Sequence, residues 1–305
     1  MSRPRNSKRY PTKPPLELVP GMKVRDAVQK AAERLSSIST DPPRHQVEWM
    51  LESILNVNKA AIYSDDGLIL NQEQIARLKE YIERRLRGEP LQYILGTVEF
   101  RRITLKVDRR ALIPRPETEG LIEIGLELLK SNPAPKILDV GTGCGAIALS
   151  LLDEHPGAGI TGLDISSEAL QLAEENGDML KLSNRVIWIK GDIFDDNLHK
   201  KIDKSFDLII SNPPYVAMAE YAALPIEIRE YEPVMALTAG GDGLDVIRRL
   251  AAVCDRLLKT DGFVVCEIGE NQGNVSKQIF RKAGWDVHTR HDLSGKPRYL
   301  VARKT

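Results

Sequence analysis

Cysteine is scarce in this 305-residue chain, and what little there is forms no pattern. Cys144, Cys254 and Cys266 are odd in number and scattered, which argues against a disulfide framework and fits a reducing cytoplasm. No C-x-x-C occurs and the five histidines show no H-x-x-x-H spacing, so a metal site has no support. Apolar runs long enough to span a bilayer are missing, as is a signal-peptide apolar core near the first residue; the expected location is cytoplasmic. An excess of one charge is also lacking. Forty-three basic side chains balance 43 acidic ones, so the whole chain carries no electrostatic footprint of a duplex nucleic-acid binder. What is present is ordinary for a globular protein, 42% apolar and 28% charged, with length for one large domain or two modest ones.

Residues 1–20 are rich in Pro, Lys and Arg and read as a flexible basic tail. Over 21–93 the apolar period is helical: Val24, Val28, Ala31 and Leu35 share one face, as do Val47, Leu51, Ile54 and Leu55. Asn71 with Gln74 three residues on predicts a capping box opening a helix that carries Ile75, Leu78, Ile82 and Leu86. Gly88 and Pro90 stop it. Over 94–114, TVEFRRITLKV alternates as a strand pair does and predicts a hairpin linker. From 115 to 305 short β-rich runs (KILDV, GITGLDI, RVIWIK, FDLII, FVVCEI) alternate with helical stretches, the pattern of a Rossmann-like α/β fold with a parallel, doubly wound sheet.

The first of those runs ends in Asp139-Val140-Gly141-Thr142-Gly143-Cys144-Gly145-Ala146. A glycine-rich turn between first strand and helix lets a ligand approach the backbone at the carboxyl edge of the sheet. Gly141, Gly143 and Ala146 satisfy the loose dinucleotide fingerprint, and Asp164 ends the second strand as a ribose-binding acid should. On these residues alone a nicotinamide dinucleotide and S-adenosylmethionine both fit. Asp139, two residues before the first glycine, suits a ligand with an ammonium group and would repel a pyrophosphate. The third glycine at 145 makes G-x-G-x-G, a spacing similar to that of methyltransferases. Asp192, after the third strand, is placed to accept from an adenine amino group with Ile193 beside the ring; a turn-capping role is the alternative for Asp192.

FDLII runs into Ser211-Asn212-Pro213-Pro214-Tyr215, which cannot continue a strand because proline brings no N–H to the ladder. The prolines hold the segment extended and leave carbonyl acceptors without competing donors. The Asn212 side-chain carbonyl and the Pro213 main-chain carbonyl can then accept both hydrogens of one planar –NH2 group, with Tyr215 against its flat face. An amide nitrogen is a poor nucleophile. Two acceptors hold it in place and favour the positive charge that grows on it as it attacks a sulfonium methyl.

Together these motifs resemble class I S-adenosylmethionine-dependent methyltransferases acting on nitrogen. More narrowly, GEPLQYILGTVEF, LIPRPETE, DVGTGCGAIAL, SNPPYV and EPVMALTAGGDGL resemble the glutamine N5-methyltransferases of peptide-chain release factors, over about residues 22–305. The resemblance implies an N-terminal helical bundle, a β-hairpin linker and a seven-stranded, mostly parallel catalytic domain. It implies S-adenosyl-L-methionine as methyl donor, leaving S-adenosyl-L-homocysteine, and the Gln of a Gly-Gly-Gln loop in class 1 release factors as substrate. By motif, Asp139, Gly141, Thr142, Gly143, Cys144, Gly145, Asp164, Asp192 and Ile193 take cofactor roles. Asn212 serves both cofactor and glutamine, and Pro213, Pro214 and Tyr215 hold the glutamine. Phe100 and Arg115 would lie near the methyl end, or else pack the hinge. Ile193 departs from the family, where an aromatic residue often stands. A ribosomal-protein glutamine is the sister substrate. An amino group of nucleic acid would call for a basic groove that the balanced charges do not advertise.

Overall fold

The computed structural model describes residues 16–36, 42–64, 67–202 and 204–304. The chain divides into two compact units, Met1–Leu95 and Gly96–Thr305. Among the described residues, no helix is long and apolar enough to cross a membrane.

The first unit is helical: α1 Val24–Leu35, α2 Pro43–Leu55, α3 Lys59–Ser64, α4 Gln72–Leu86 and α5 Leu91–Leu95. Its core is the apolar face legible in the sequence, with Val24, Val28, Ala31, Leu35, Val47, Leu51, Leu78 and Ile82 buried together. The capping box at α4 is present. Asn71 Oδ1 accepts from the Gln74 backbone N–H at 2.9 Å, and Gln74 Oε1 accepts from the Asn71 N–H at 2.8 Å. Such a cap contributes about 1 kcal/mol. The tail expected over 1–20 needs correction at its inner end: Leu18 is buried in this helical core with Leu16 packed against it, since two leucines at alternate positions gain more by burial than by solvation. Residues 1–15 of that expected tail lie outside the described residues.

The second unit opens with an antiparallel hairpin, β1 Thr97–Phe100 and β2 Ile103–Lys106. It continues through α6 Glu119–Leu129, β3 Lys136–Val140, α7 Ala146–Glu154, β4 Gly159–Asp164, α8 Ser167–Met179, β5 Val186–Lys190 and β6 Phe206–Ser211. Two short helices follow, α9 Ile226–Arg229 and α10 Val234–Leu237, then α11 Asp245–Val253, β7 Leu258–Glu267, α12 Gly273–Lys282, β8 Trp285–His291 and β9 Pro297–Lys304. The hairpin is tied to this unit by side-chain chemistry. Asn176 of α8, fully buried, accepts from the Lys106 N–H at 2.7 Å and donates to the Lys106 carbonyl at 3.0 Å.

Seven strands form one sheet in the order β5-β4-β3-β6-β7-β9-β8, parallel from β5 to β7 and antiparallel at the last two. The order reverses at β3, which has β4 on one side and β6 on the other. At such a point the turns after neighbouring strands diverge to opposite faces and open a crevice at the carboxyl edge. A fully buried layer of Leu138, Ile209, Val264, Cys266, Leu300 and Ala302 runs under that edge and makes it rigid.

Candidate active site

The crevice is a cavity of about 850 Å³, within the usual range for small-molecule sites. Its floor is the turn after β3. Gly141, Gly143 and Gly145 all have positive φ, at 72°, 57° and 84°, where a side chain would be strained. They do different work. Gly141 and Gly143 line the cavity, and a Cβ on Gly141 would meet nothing within 4 Å, so this backbone stays open to a ligand. A Cβ on Gly145 would sit 3.1 Å from both Leu149 and Trp188, so this glycine serves packing at the start of α7.

Asp164 leaves β4 and binds this floor. Its Oδ2 accepts from the Gly143 N–H and its Oδ1 from the Ser166 N–H, both at 2.9 Å. An ionised carboxylate has about four lone-pair positions, so these backbone contacts leave it accepting capacity for a ligand. Burial holds its pKa above the ordinary range. Asp139 behaves otherwise. It is fully buried, its Oδ2 accepts from the Thr142 hydroxyl at 2.6 Å, and it does not line the cavity. Burial pushes its carboxyl up to about 7. Asp139, Thr142 and the buried Cys144 thus shape the turn from behind, and Cys144, its thiol pushed up to about 12 by burial, is no nucleophile.

After β5, Asp192 and Ile193 both line the cavity. Asp192 Oδ1 caps its own turn by accepting from the Phe194 N–H at 2.8 Å, the turn role weighed above. Ile193 is largely committed to the sheet core. The aromatic residue expected in its place is found one step along: Phe194 lines the cavity and is 49% exposed. The residue before Asn212, Ser211, ties β6 to β3 by donating to the Val140 carbonyl at 2.7 Å.

Asn212, Pro213 and Pro214 form the facing wall. Asn212 Nδ2 donates to the Thr118 hydroxyl oxygen at 2.9 Å, and that hydroxyl donates to Glu267 Oε2 at 2.8 Å. Tyr215 does not line the cavity; its hydroxyl faces Glu267 Oε1 at 3.4 Å, and burial pushes its pKa up to about 12. The turn is clamped from outside as well. Gln272 Nε2 donates to the Tyr215 carbonyl at 3.0 Å and the Gly243 carbonyl at 3.2 Å, while the Val216 N–H donates to the Leu237 carbonyl at 2.9 Å. A Cβ on Gly243 would lie 2.2 Å from the Tyr215 carbonyl. The EPVMALTAGGDGL stretch is therefore the brace of the NPPY turn.

Phe100 and Arg115 are not in the cavity wall. Phe100 is 1% exposed inside the second unit, and the Arg115 guanidinium donates to buried Glu232 at 2.5 Å. Sequence reading missed Thr118, Glu267 and Gln272, whose partners named here lie 29 to 149 positions away. For Phe194 the signal was an aromatic beside the chosen Ile193.

Residues 26–96 match the family model described as the PrmC N-terminal domain, and residues 122–268 match the one described as methyltransferase small domain. The chain is similar to the release factor glutamine methyltransferase of Deinococcus radiodurans, 38% identical over 283 residues that cover 93% of this chain and 99% of that one. It is 39% identical over 275 residues to the protein of the same name from Caulobacter vibrioides, covering 90% and 94%. Among solved structures, the catalytic domain of hMettl16 in complex with the MAT2A 3′UTR hairpin 6 is similar at a TM-score of 0.55 and 16% identity, covering 81% of this chain and 91% of that one, a likeness of fold alone. This chain, with its methyltransferase sheet and its NPPY turn, belongs to the release factor glutamine methyltransferase family.

Proposed function

We propose that the chain transfers a methyl group from S-adenosylmethionine to the side-chain nitrogen of the Gln in the Gly-Gly-Gln loop of class 1 peptide chain release factors. The observation that carries this reading is that an open glycine turn, a strand-end carboxylate and Asn212-Pro213-Pro214 line one cavity. Bound there, S-adenosylmethionine would supply an electrophilic methyl on sulfur. Asp164 keeps accepting capacity for ribose hydroxyls, Asp192 accepts from the adenine amino group, and Ile193 and Phe194 flank the ring. Gly141 and Gly143 admit the ligand close to the backbone, while Asp139, Thr142, Cys144 and Gly145 hold the turn in shape. On the facing wall Asn212 Oδ1 and the Pro213 carbonyl accept the two hydrogens of the glutamine –NH2 group. That contact strengthens as the nitrogen becomes positive, so it lowers the barrier and not only the ground state. The alkylated nitrogen is acidic and releases its proton to water, so no base is needed in contact with it. Arg115, anchored by Glu232, and the buried Phe100 stand outside the cavity and take no part in the transfer. The helical unit selects the protein substrate.

Incubation with labelled methyl donor and a panel of release factors, ribosomal proteins and nucleic acids tests the reading. Label on the Gln of a release factor is the expected result; label confined to ribosomal protein or nucleic acid overturns it. In the same series Asp164→Ala should weaken S-adenosylmethionine binding by about 1.5–3 kcal/mol, the scale of truncating a charged hydrogen-bond partner. Unchanged affinity by calorimetry would move the ribose site elsewhere.

A further inference from the structure

Asparagine has a carbonyl end and an amide end of nearly equal shape, and only one of them can accept a hydrogen bond from a substrate –NH2 group. Something must decide which end faces the cavity. We infer that Thr118 and Glu267 are positioning residues, a buried polar chain behind Asn212 that turns its oxygen toward the reacting nitrogen. The inference rests on the function proposed above.

The chain has a direction. Both hydroxyls that face the Glu267 carboxylate, those of Thr118 and Tyr215, point a proton at an acceptor. A threonine hydroxyl has one proton, and at Thr118 it is committed to Glu267 Oε2 at 2.8 Å. What Thr118 then offers Asn212 is a lone pair. The Asn212 contact at 2.9 Å is accordingly made by Nδ2, the donor end. Reversing the amide would set two oxygens against each other and turn a donor toward a substrate donor. Thr118 is 3% exposed and Glu267 1%, so no water stands ready to relieve either clash. The three groups come from separate segments, the LIPRPETE stretch ahead of α6, the end of β7 and the residue after β6, and only the folded unit brings them together.

The test measures methyl transfer to a full-length release factor, with cofactor binding by calorimetry, for the intact enzyme and a set of variants. Thr118→Val keeps the shape and removes the lone pair; turnover should fall by at least about tenfold while cofactor affinity and KM stay within about twofold. Thr118→Ser restores the hydroxyl and should restore most of the turnover. Introduced into Asn212→Ala, Thr118→Val should cost no more than about twofold further, because the group it orients is gone. A role in stability alone would instead add the same cost in both backgrounds. Glu267→Gln, which can donate as well as accept, provides a second reading should the valine variant fold poorly, and the same non-additivity is expected of it. Wild-type turnover in Thr118→Val, or additive losses with Asn212→Ala, would overturn the inference. An intact enzyme that binds cofactor but transfers nothing to the release factor would overturn the functional reading, and this one with it.

Discussion

Replacing Asn212 by alanine should lower methyl transfer to a release factor by at least about a hundredfold while leaving S-adenosylmethionine affinity near the wild-type value. The magnitude is that of deleting one preorganised contact to charge that develops in a transition state. The asymmetry follows from the cavity. Asp164 and the glycine turn, which would carry the nucleoside, lie on β3 and β4, and Asn212 faces them from β6. Truncating it leaves the Asp164 contacts to Gly143 and Ser166 untouched. Asn212→Asp separates shape from charge: it keeps an acceptor but loses the Nδ2 donor that Thr118 receives, and sets a second carboxylate where the single Thr118 proton is already given to Glu267. It should therefore also lose turnover, even with cofactor bound normally. Single-turnover assays with calorimetry check both variants. Wild-type rates in both would mean that NPPY is only a stiff turn in this protein.

Removing residues 1–95 should abolish efficient modification of an intact release factor without abolishing cofactor binding. Each cavity-lining residue belongs to the second unit, as do the Thr118–Glu267 chain and the Gln272 clamp. The core under the cavity, from Leu138 to Ala302, also lies within it. The isolated 96–305 segment should then bind S-adenosylmethionine with near-normal affinity. Against a folded release factor its kcat/KM should drop by about a hundredfold or more, because remote contacts are what position the reacting nitrogen. A free Gly-Gly-Gln peptide cannot use those contacts and should be an equally poor substrate for both forms. Methyl transfer to factor and peptide by the two proteins is the measurement. Full-rate modification of the intact factor by the truncated form would place recognition in the catalytic unit.

The sequence by itself determined the parts of this protein whose physics is local. A period of 3.6 needs no knowledge of its partner, so Val24, Val28, Ala31 and Leu35 declared the buried face of α1, and Asn71 with Gln74 declared the start of α4. Five strands of the parallel sheet were legible as short β-rich runs, four of them because a strand buried inside a parallel sheet is a nearly continuous apolar run, and the edge strand β5 by its β-branched and aromatic residues. The glycine turn and the NPPY turn stood out because backbone conformation restricts residue type there: three successive glycines at positive φ, then two prolines that end a ladder. The last two strands were not separately visible. Their partly charged segments, WDVHTRH and PRYLVARK, gain a strand's identity only by antiparallel pairing, β9 with both β7 and β8.

Only the tertiary structure decided which side of each motif faces the cavity. Asp139 and Asp164 look alike in sequence, each a carboxylate at a strand end, yet one is enclosed with Thr142 behind the turn while the other reaches the cavity. Asp139 is wholly enclosed, its Oδ2 taken by the Thr142 hydroxyl of the turn that follows it. Ile193 and Phe194 both reach the cavity, but Ile193 is also packed into the sheet core while Phe194 is half exposed, a division that adjacent positions in the sequence do not reveal. The chain from Asn212 through Thr118 to Glu267 joins residues 94 and 149 positions apart, and no local pattern encodes it. A hydrogen bond acts over about 3 Å and is blind to sequence separation, so the partners of a buried polar group are known only once the sheet has brought them together.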